Sequence, residues 1–282
     1  MKKTVFAFMA ALMLLPSGVQ ARSKGPTSLK VISYNIRLGT ANDGTNSWNL
    51  RYPASALMIN DQKPDIFGLQ EAFDFQKDYL DEACKGYSCV GVGRDDGKAK
   101  GEQMAIFYNT KRIKLRKWGT FWLSETPDTP SKGWDAACFR TATWALLKDK
   151  KSGKEFYYVN THLDHVGKEA RLKGLALIVD RIKDINPEGY PMVLTGDFNV
   201  RMDDPCLKAL EGKMVSARET AVKTDHHITY NGWGSVKDPA TIIDYIYYTG
   251  FSACTVYETI TKPYYDRTYI SDHYPITATL VF

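Results

Sequence analysis

Apolar positions along the chain recur with two periods. Runs of alternating or continuous apolar residues predict strands at Leu29 to Arg37, Asp65 to Glu71, Tyr87 to Gly93, Gln103 to Tyr108, Leu115 to Leu123, Cys138 to Leu147, Glu155 to His162, Pro191 to Leu194, Ile242 to Tyr248, Ala253 to Thr261 and Tyr274 to Val281. Between them, helices are expected at Tyr52 to Asp61, stopped before Pro64, and at Asp74 to Cys84. The clearest helix runs from Lys168 to Ile185, where Leu172, Leu175, Ala176, Val179 and Ile182 recur at helical spacing and Pro187 and Gly189 end the pattern. Residues 207–234 show no regular period.

Most of these strands are too apolar to leave one face wet, so both faces of each sheet should be covered. Lys2 and Lys3, the apolar run Val5 to Leu15, the break at Pro16 and Gly18 and the small residue Ala21 have the layout of a secretory signal peptide. The apolar run is shorter than the roughly 20 residues a membrane span needs. Residues 1–21 are read as a leader and 22–282 as one catalytic-sized α/β domain without an integral membrane segment, exported to the periplasm or the extracellular space.

Charge adds a modest constraint. The formal net charge is +5, and removal of Lys2 and Lys3 leaves +3, with Lys and Arg spread along the chain. That is weaker than the basic stripe expected of a dedicated nucleic-acid binder. The five cysteines form no CxxC pair or Cys/His cluster of the kind that holds structural zinc. Either Cys84 and Cys89 pair across a short turn or all five are free thiols.

The chemistry-bearing residues fall at predicted strand ends. They are Ser33-Tyr34-Asn35, Gly68-Leu69-Gln70-Glu71, Asn160-Thr161-His162-Leu163-Asp164, Thr195-Gly196-Asp197-Phe198-Asn199, Ile243-Asp244-Tyr245-Ile246 and Ser271-Asp272-His273-Tyr274. Any one of these is also an ordinary strand-to-loop connection. As a set, oxygen donors from Asp, Glu and Asn suit a hard cation, Mg²⁺ foremost with Mn²⁺ or Ca²⁺ as alternatives, and the histidines suit phosphate contact or proton transfer.

The order and context of these motifs resemble the endonuclease/exonuclease/phosphatase superfamily, the deoxyribonuclease-I-like group, over nearly all of Leu29 to Phe282. Gly93-Arg94-Asp95-Asp96-Gly97 and Phe121 to Pro127 are similar to a bacterial, secreted-type branch of it. The resemblance implies a four-layer α/β sandwich of two packed sheets flanked by helices. It implies Glu71 as principal metal ligand with Asn35 and Asp272 adjoining, Asp197 with Asn199 beside it placing or deprotonating the attacking water, and His273 on the phosphate with Asp244 fixing its tautomer. His162 would be a second phosphate-facing histidine, partnered by Glu102.

The implied reaction is in-line hydrolysis of a phosphate ester, small or lipid-derived, by a monomeric enzyme. A secreted nuclease and a non-catalytic binding module on the same scaffold are the alternatives. Arg94 is read either as a phosphate contact or as a loop arginine, and Trp122 and Trp134 either as pocket walls or as core. Asp164 either assists His162 or caps the next turn, and His165, His226 and His227 carry no assigned role.

Overall fold

A computed structural model describes Met1 and residues 27–282; apart from Met1, the expected leader lies outside the described residues. In chain order the strands are β1 (Ser28–Asn35), β2 (Ile66–Gln70), β3 (Tyr87–Val90), β4 (Ile106–Asn109), β5 (Ile113–Trp122), β6 (Thr141–Asp149), β7 (Glu155–His162), β8 (Met192–Asp197), β9 (Val215–Ser216), β10 (Asp244–Thr249), β11 (Ala253–Thr259) and β12 (Ile276–Val281). The long helices are α1 (Trp48–Gln62), α2 (Asp74–Ala83) and α3 (Lys168–Ile185). Two six-stranded mixed sheets result, ordered β11-β12-β1-β2-β4-β3 and β5-β6-β7-β8-β10-β9.

Side chains alternate across a strand, so each strand serves two cores. Leu29 and Val31 of β1, Ile66 of β2, Phe156 and Tyr158 of β7, Val193 of β8, Ile246 of β10 and Ile276 of β12 meet between the sheets. Ile32, Tyr34, Phe67 and Leu69 face outward against Ala54, Met58 and Ile59 of α1 and Leu80 of α2. Tyr157, Val159 and Leu194 face outward on the second sheet, against Leu175, Ile178, Val179 and Ile182 of α3. Three cores separate four layers, which is the expected α/β sandwich. Each large apolar side chain buried this way contributes about 1.5–3 kcal/mol.

The inner rows change character along their length. β1 reads Leu29, Val31, Ser33, Asn35; β2 reads Ile66, Gly68, Gln70; β7 reads Phe156, Tyr158, Asn160, His162; and β8 reads Val193, Thr195, Asp197. All four begin apolar and end polar, β1 and β2 on amides and β7 and β8 on His162 and Asp197. β1 and β2 run parallel, as do β7 and β8, and this gathers the reactive residues of each sheet at one end.

Several boundaries differ from the expectation. α1 starts at Trp48 and carries Pro53 inside it. β2 stops at Gln70, leaving Glu71 on a turn with φ 62°. The strand expected from Cys138 begins at Thr141, because Arg140 is drawn into an ion pair with Asp164. In α3 the buried stripe is Ala170, Gly174, Leu175, Ile178, Val179 and Ile182, while Leu172 is exposed. Residues 207–234 fold into pieces too short to show a period: part of a helical turn (Pro205–Leu210), β9, a four-residue helix (Ala217–Thr220) and a second helical turn (Gly232–Gly234). All five cysteines are free thiols, Cys84 and Cys89 included. Among the described residues no helix is long and apolar enough to cross a membrane.

A buried polar seam fixes one sheet against the other. The Asn160 amide of β7 donates to the carbonyls of Leu69 at 2.7 Å and Ala105 at 3.2 Å, and its oxygen accepts from Gln70 Nε2 at 2.7 Å and Thr195 Oγ1 at 3.1 Å. Tyr158 donates from its hydroxyl to the Ile32 carbonyl at 2.9 Å. Gly68 lets the layers approach, since a Cβ there would lie 2.6 Å from Asn160 Cγ. Asn160→Leu removes every seam bond of that side chain within a dry interface. We expect a loss of about 2–4 kcal/mol in urea denaturation, and an unchanged unfolding midpoint would show that the seam is dispensable.

Candidate active site

Asp197 lies where the inner rows converge. In the ladder it is paired with His162 of β7 on one side and Asp244 of β10 on the other. Gly196 makes the close strand approach feasible, since a Cβ at that position would fall 2.3 Å from the Thr161 carbonyl oxygen. Asp197 Oδ1 accepts from the Asn199 backbone amide at 2.9 Å and Oδ2 from Asn35 Nδ2 at 2.9 Å. The same Oδ2 is 3.5 Å from His162 Nε2 and 3.6 Å from His273 Nε2. Burial, with the nearby Asp244 charge, pushes the Asp197 carboxyl up to about 7, against the pull of His273 and of its own hydrogen bonds.

The first sheet supplies a second group of oxygens. Glu71 accepts from Leu38 N at 2.8 Å and from Asn35 Nδ2 at 3.0 Å. Arg37, Glu71 and Asn199 all have φ between 52° and 62°, a region costly for side-chain-bearing residues, at the ends of β1, β2 and β8. Asp272 lines the same cleft, and both burial and the neighbouring Glu71 charge raise its carboxyl, while His273 and Arg37 act the other way. Glu71 and Asp272 both line the cleft and offer only oxygens, the donors a hard divalent cation prefers, with Arg37 Nε 3.6 Å from Asp272 Oδ2.

The expectation for Asn35 changes. Its Oδ1 accepts from Arg37 N at 2.9 Å, so its amide group is what faces Glu71 and Asp197. In this geometry the amide group positions two carboxylates, and the oxygen is turned to the Arg37 backbone. Glu71, His162 and Asp197 offer ligand atoms within 4.8 Å of one another, as do Asp197, Asp244 and His273. A third such group, Cys138, Asp164 and His165, is disfavoured for a cation because Arg140 bonds to both Asp164 and His165.

The two site histidines are in opposite states. His273 Nδ1 is 2.8 Å from Asp244 Oδ2. Burial alone would discharge the ring, but Asp244 and Asp197 together raise it to about 10. His162 is held neutral, well below its ordinary value, by burial and by the Arg140 and Arg94 charges. Its tautomer follows from Asn199, whose Nδ2 donates to the Leu163 carbonyl at 3.0 Å and lies 2.9 Å from His162 Nε2. Nε2 therefore accepts, and the proton is on Nδ1.

The expected Glu102–His162 pair is close but unmade. Glu102 Oε2 is 3.9 Å from His162 Nδ1, which has no hydrogen-bond partner, and the same oxygen accepts from Arg94 Nη1 at 2.7 Å. A charged, phosphate-gripping His162 is not what this environment favours.

These side chains line a cleft of about 440 Å³ shared by Glu71, Arg94, Glu102, His162, Asp197, Asn199, Asp272 and His273. The geometry also brings in Arg37, Arg140, His165 and Tyr230, none of which stands out in the sequence. Asp164, buried at the head of the loop before α3, holds Arg140 at 3.2 Å and accepts from the amides of Val166 and Gly167, so the capping alternative describes it. Trp122 is core, with its indole donating to the Arg94 carbonyl at 2.6 Å. Trp134 does not line the cleft; Lys173 Nζ lies 5.8 Å from its ring.

Carboxylates, an amide and histidines from the two facing sheets thus gather at one rim of the α/β sandwich, as the resemblance implies. The chain belongs to the endonuclease/exonuclease/phosphatase family, whose model matches residues 32–273. A solved structure of a member of this family from Bacteroides thetaiotaomicron is 38% identical with a TM-score of 0.85, covering 91% of this chain and 98% of that one. The mannosyl-6-phosphatase of Bacteroides thetaiotaomicron is also 38% identical with a TM-score of 0.85, covering 90% of this chain and 100% of that one. An uncharacterised protein of Acanthamoeba polyphaga mimivirus is 27% identical over 188 residues, which are 64% of this chain and 69% of that protein.

The opposed histidines can be read by ¹H–¹⁵N spectroscopy of the metal-free protein. At pH 8 His273 is expected to carry protons on both ring nitrogens and His162 on Nδ1 alone. Because the folded value of His273 lies above its ordinary 6.5, its charge contributes stability in full below that pH, and the contribution fades as pH rises toward 10. A neutral His273 at pH 8 contradicts the assignment.

Proposed function

We propose that the protein is an exported, monomeric, Mg²⁺-dependent hydrolase of small phosphate esters, with phosphorylated sugars the foremost candidates. The observation that carries this reading is the placement of Asp197 between a neutral histidine and a charged one, opposite the Glu71 and Asp272 carboxylates. The 38% identity to a mannosyl-6-phosphatase supports a small, sugar-borne phosphate. The leader-like residues 1–21 support export.

Glu71 and Asp272 would hold the cation, and their oxygen-only donor set fits Mg²⁺ better than a softer metal. When bound, the ion would neutralise charge on the phosphate and on the leaving oxygen. Asp197, with a carboxyl raised to about 7, is suited to accept a proton from the attacking water near neutral pH. Asn35 and the Asn199 amide keep its two oxygens pointed. His273 donates to a phosphate oxygen, and Asp244 preserves its charge as negative charge builds in the transition state. His162, through Asn199, holds the far side of Asp197 in place.

The test is a panel of sugar phosphates, a phosphodiester, a lipid phosphodiester, DNA and RNA, assayed with Mg²⁺ and with EDTA. We expect turnover of small esters that EDTA abolishes and that Asp197→Asn lowers by about 10²–10⁴-fold in kcat. Activity indifferent to EDTA and to Asp197→Asn overturns the reading. Cleavage confined to nucleic acid, falling steeply with salt, replaces it with a nuclease.

A further inference from the structure

Two arginines that line the cleft each keep one buried guanidinium nitrogen without a hydrogen-bond partner. Arg140 stands just before β6 with only 5% of its side chain exposed. Its Nε donates to Asp164 Oδ2 at 3.2 Å and its Nη2 lies 2.9 Å from His165 Nδ1. Asp164 is itself fixed: burial works against its charge, but the Gly167 and Val166 amides and the Arg140 cation hold it well below the usual carboxylate range. Arg140 is thereby clamped on two of its nitrogens, while Nη1 is buried and has no partner.

Arg94 repeats the arrangement. Its Nη1 donates to Glu102 at 2.7 Å, and its Nε is buried without a hydrogen bond, 3.8 Å from the nearest Asp95 oxygen. Both arginines line the cleft beside His162, and both depress its protonation. A buried guanidinium donor left unpaired is costly unless a ligand completes it.

We propose that Arg94 and Arg140 form a specificity wall that selects phosphate monoesters over diesters. The inference rests on the hydrolase reading above. A terminal phosphate carries a second negative charge above its second pKa near 6 and has three non-bridging oxygens. One of these can turn toward the free guanidinium donors while others face Glu71, Asp272 and His273. In a diester one of these three oxygens carries a carbon substituent and loses its charge. Either that substituent faces the arginines, leaving both donors dry and unpaired, or it faces the catalytic groups. The discrimination therefore comes from unmet donors as much as from charge.

The test compares 4-nitrophenyl phosphate with its methyl ester at pH 8 in Mg²⁺, with inorganic phosphate titrated calorimetrically under the same conditions. Wild type is expected to favour the monoester by about 10²-fold in kcat/KM, from the pairing of buried donors. Arg140→Met should lower the monoester-to-diester ratio at least about tenfold and weaken phosphate binding by a similar factor, the scale of one charge-assisted bond. Arg94→Lys keeps a cation on Glu102 but removes the free Nε, and it should move the ratio the same way even where Arg140→Met proves unstable by circular dichroism.

A purely structural role lowers both substrates together, so an unchanged ratio in both folded variants overturns the specificity wall. Should wild type turn over neither ester, the hydrolase reading fails and the phosphate titration decides. A tenfold weaker Kd in the variants then upholds the arginine pair as an anion site, and an unaltered Kd overturns it.

Discussion

The site depends on the buried contact between Asn160 and the facing sheet. Neither sheet holds a complete set of groups. The first contributes Asn35, Glu71, Asp272 and His273 from the ends of β1 and β2 and the approach to β12. The second contributes His162, Asp197 and Asp244 from β7, β8 and β10. Apolar packing between sheets is non-directional and tolerates sliding. The three hydrogen bonds from Asn160 to Leu69, Ala105 and Gln70 of the facing side do not, and they lie one inner position away from His162 along β7. Because Gln70 is bonded to Asn160 and Glu71 follows it, the seam carries registry directly into the cleft.

Once registry is set, the chemistry follows from the crowding of charge in a dry place. Asp197 is raised by burial and Asp244, His273 is charged by Asp244 and Asp197, and His162 is discharged by burial and the arginines. Two histidines of equal intrinsic character are thus driven to opposite states by their neighbours. The left-handed backbone at Arg37, Glu71 and Asn199 belongs to the same economy: local strain is accepted where strands end and side chains must turn back into the cleft.

Much of this is legible in the sequence because strand ends and reactive residues coincide. β7 ends at His162 and α3 spans Lys168–Ile185 as their apolar patterns predict, since both are uninterrupted and clearly bounded. Glu71, Asp197, Asp244, Asp272 and His273 fall together as their motifs suggest. Arg140 and His165 are illegible for a physical reason: Arg140 reaches Asp164 and His165 across 24 and 25 residues, and such contacts have no periodic signature. Leu172 misleads because helical spacing alone does not say which side of a broad stripe is buried, and Gly174, with no side chain, marks the true contact. The Glu102–His162 pairing is implied by the family resemblance, which does not register that Arg94 draws the same oxygen to itself.

The central proposal is that two half-sites from facing sheets bind one phosphate between a carboxylate-held cation and an arginine wall. A crystal structure of the protein soaked with Mn²⁺ and inorganic phosphate, read in anomalous difference maps, tests it directly. Manganese is expected on Glu71 and Asp272, with phosphate between the metal, His273 and the guanidinium groups of Arg94 and Arg140. Manganese bound instead by Cys138, Asp164 and His165, or phosphate outside this cleft, would contradict it.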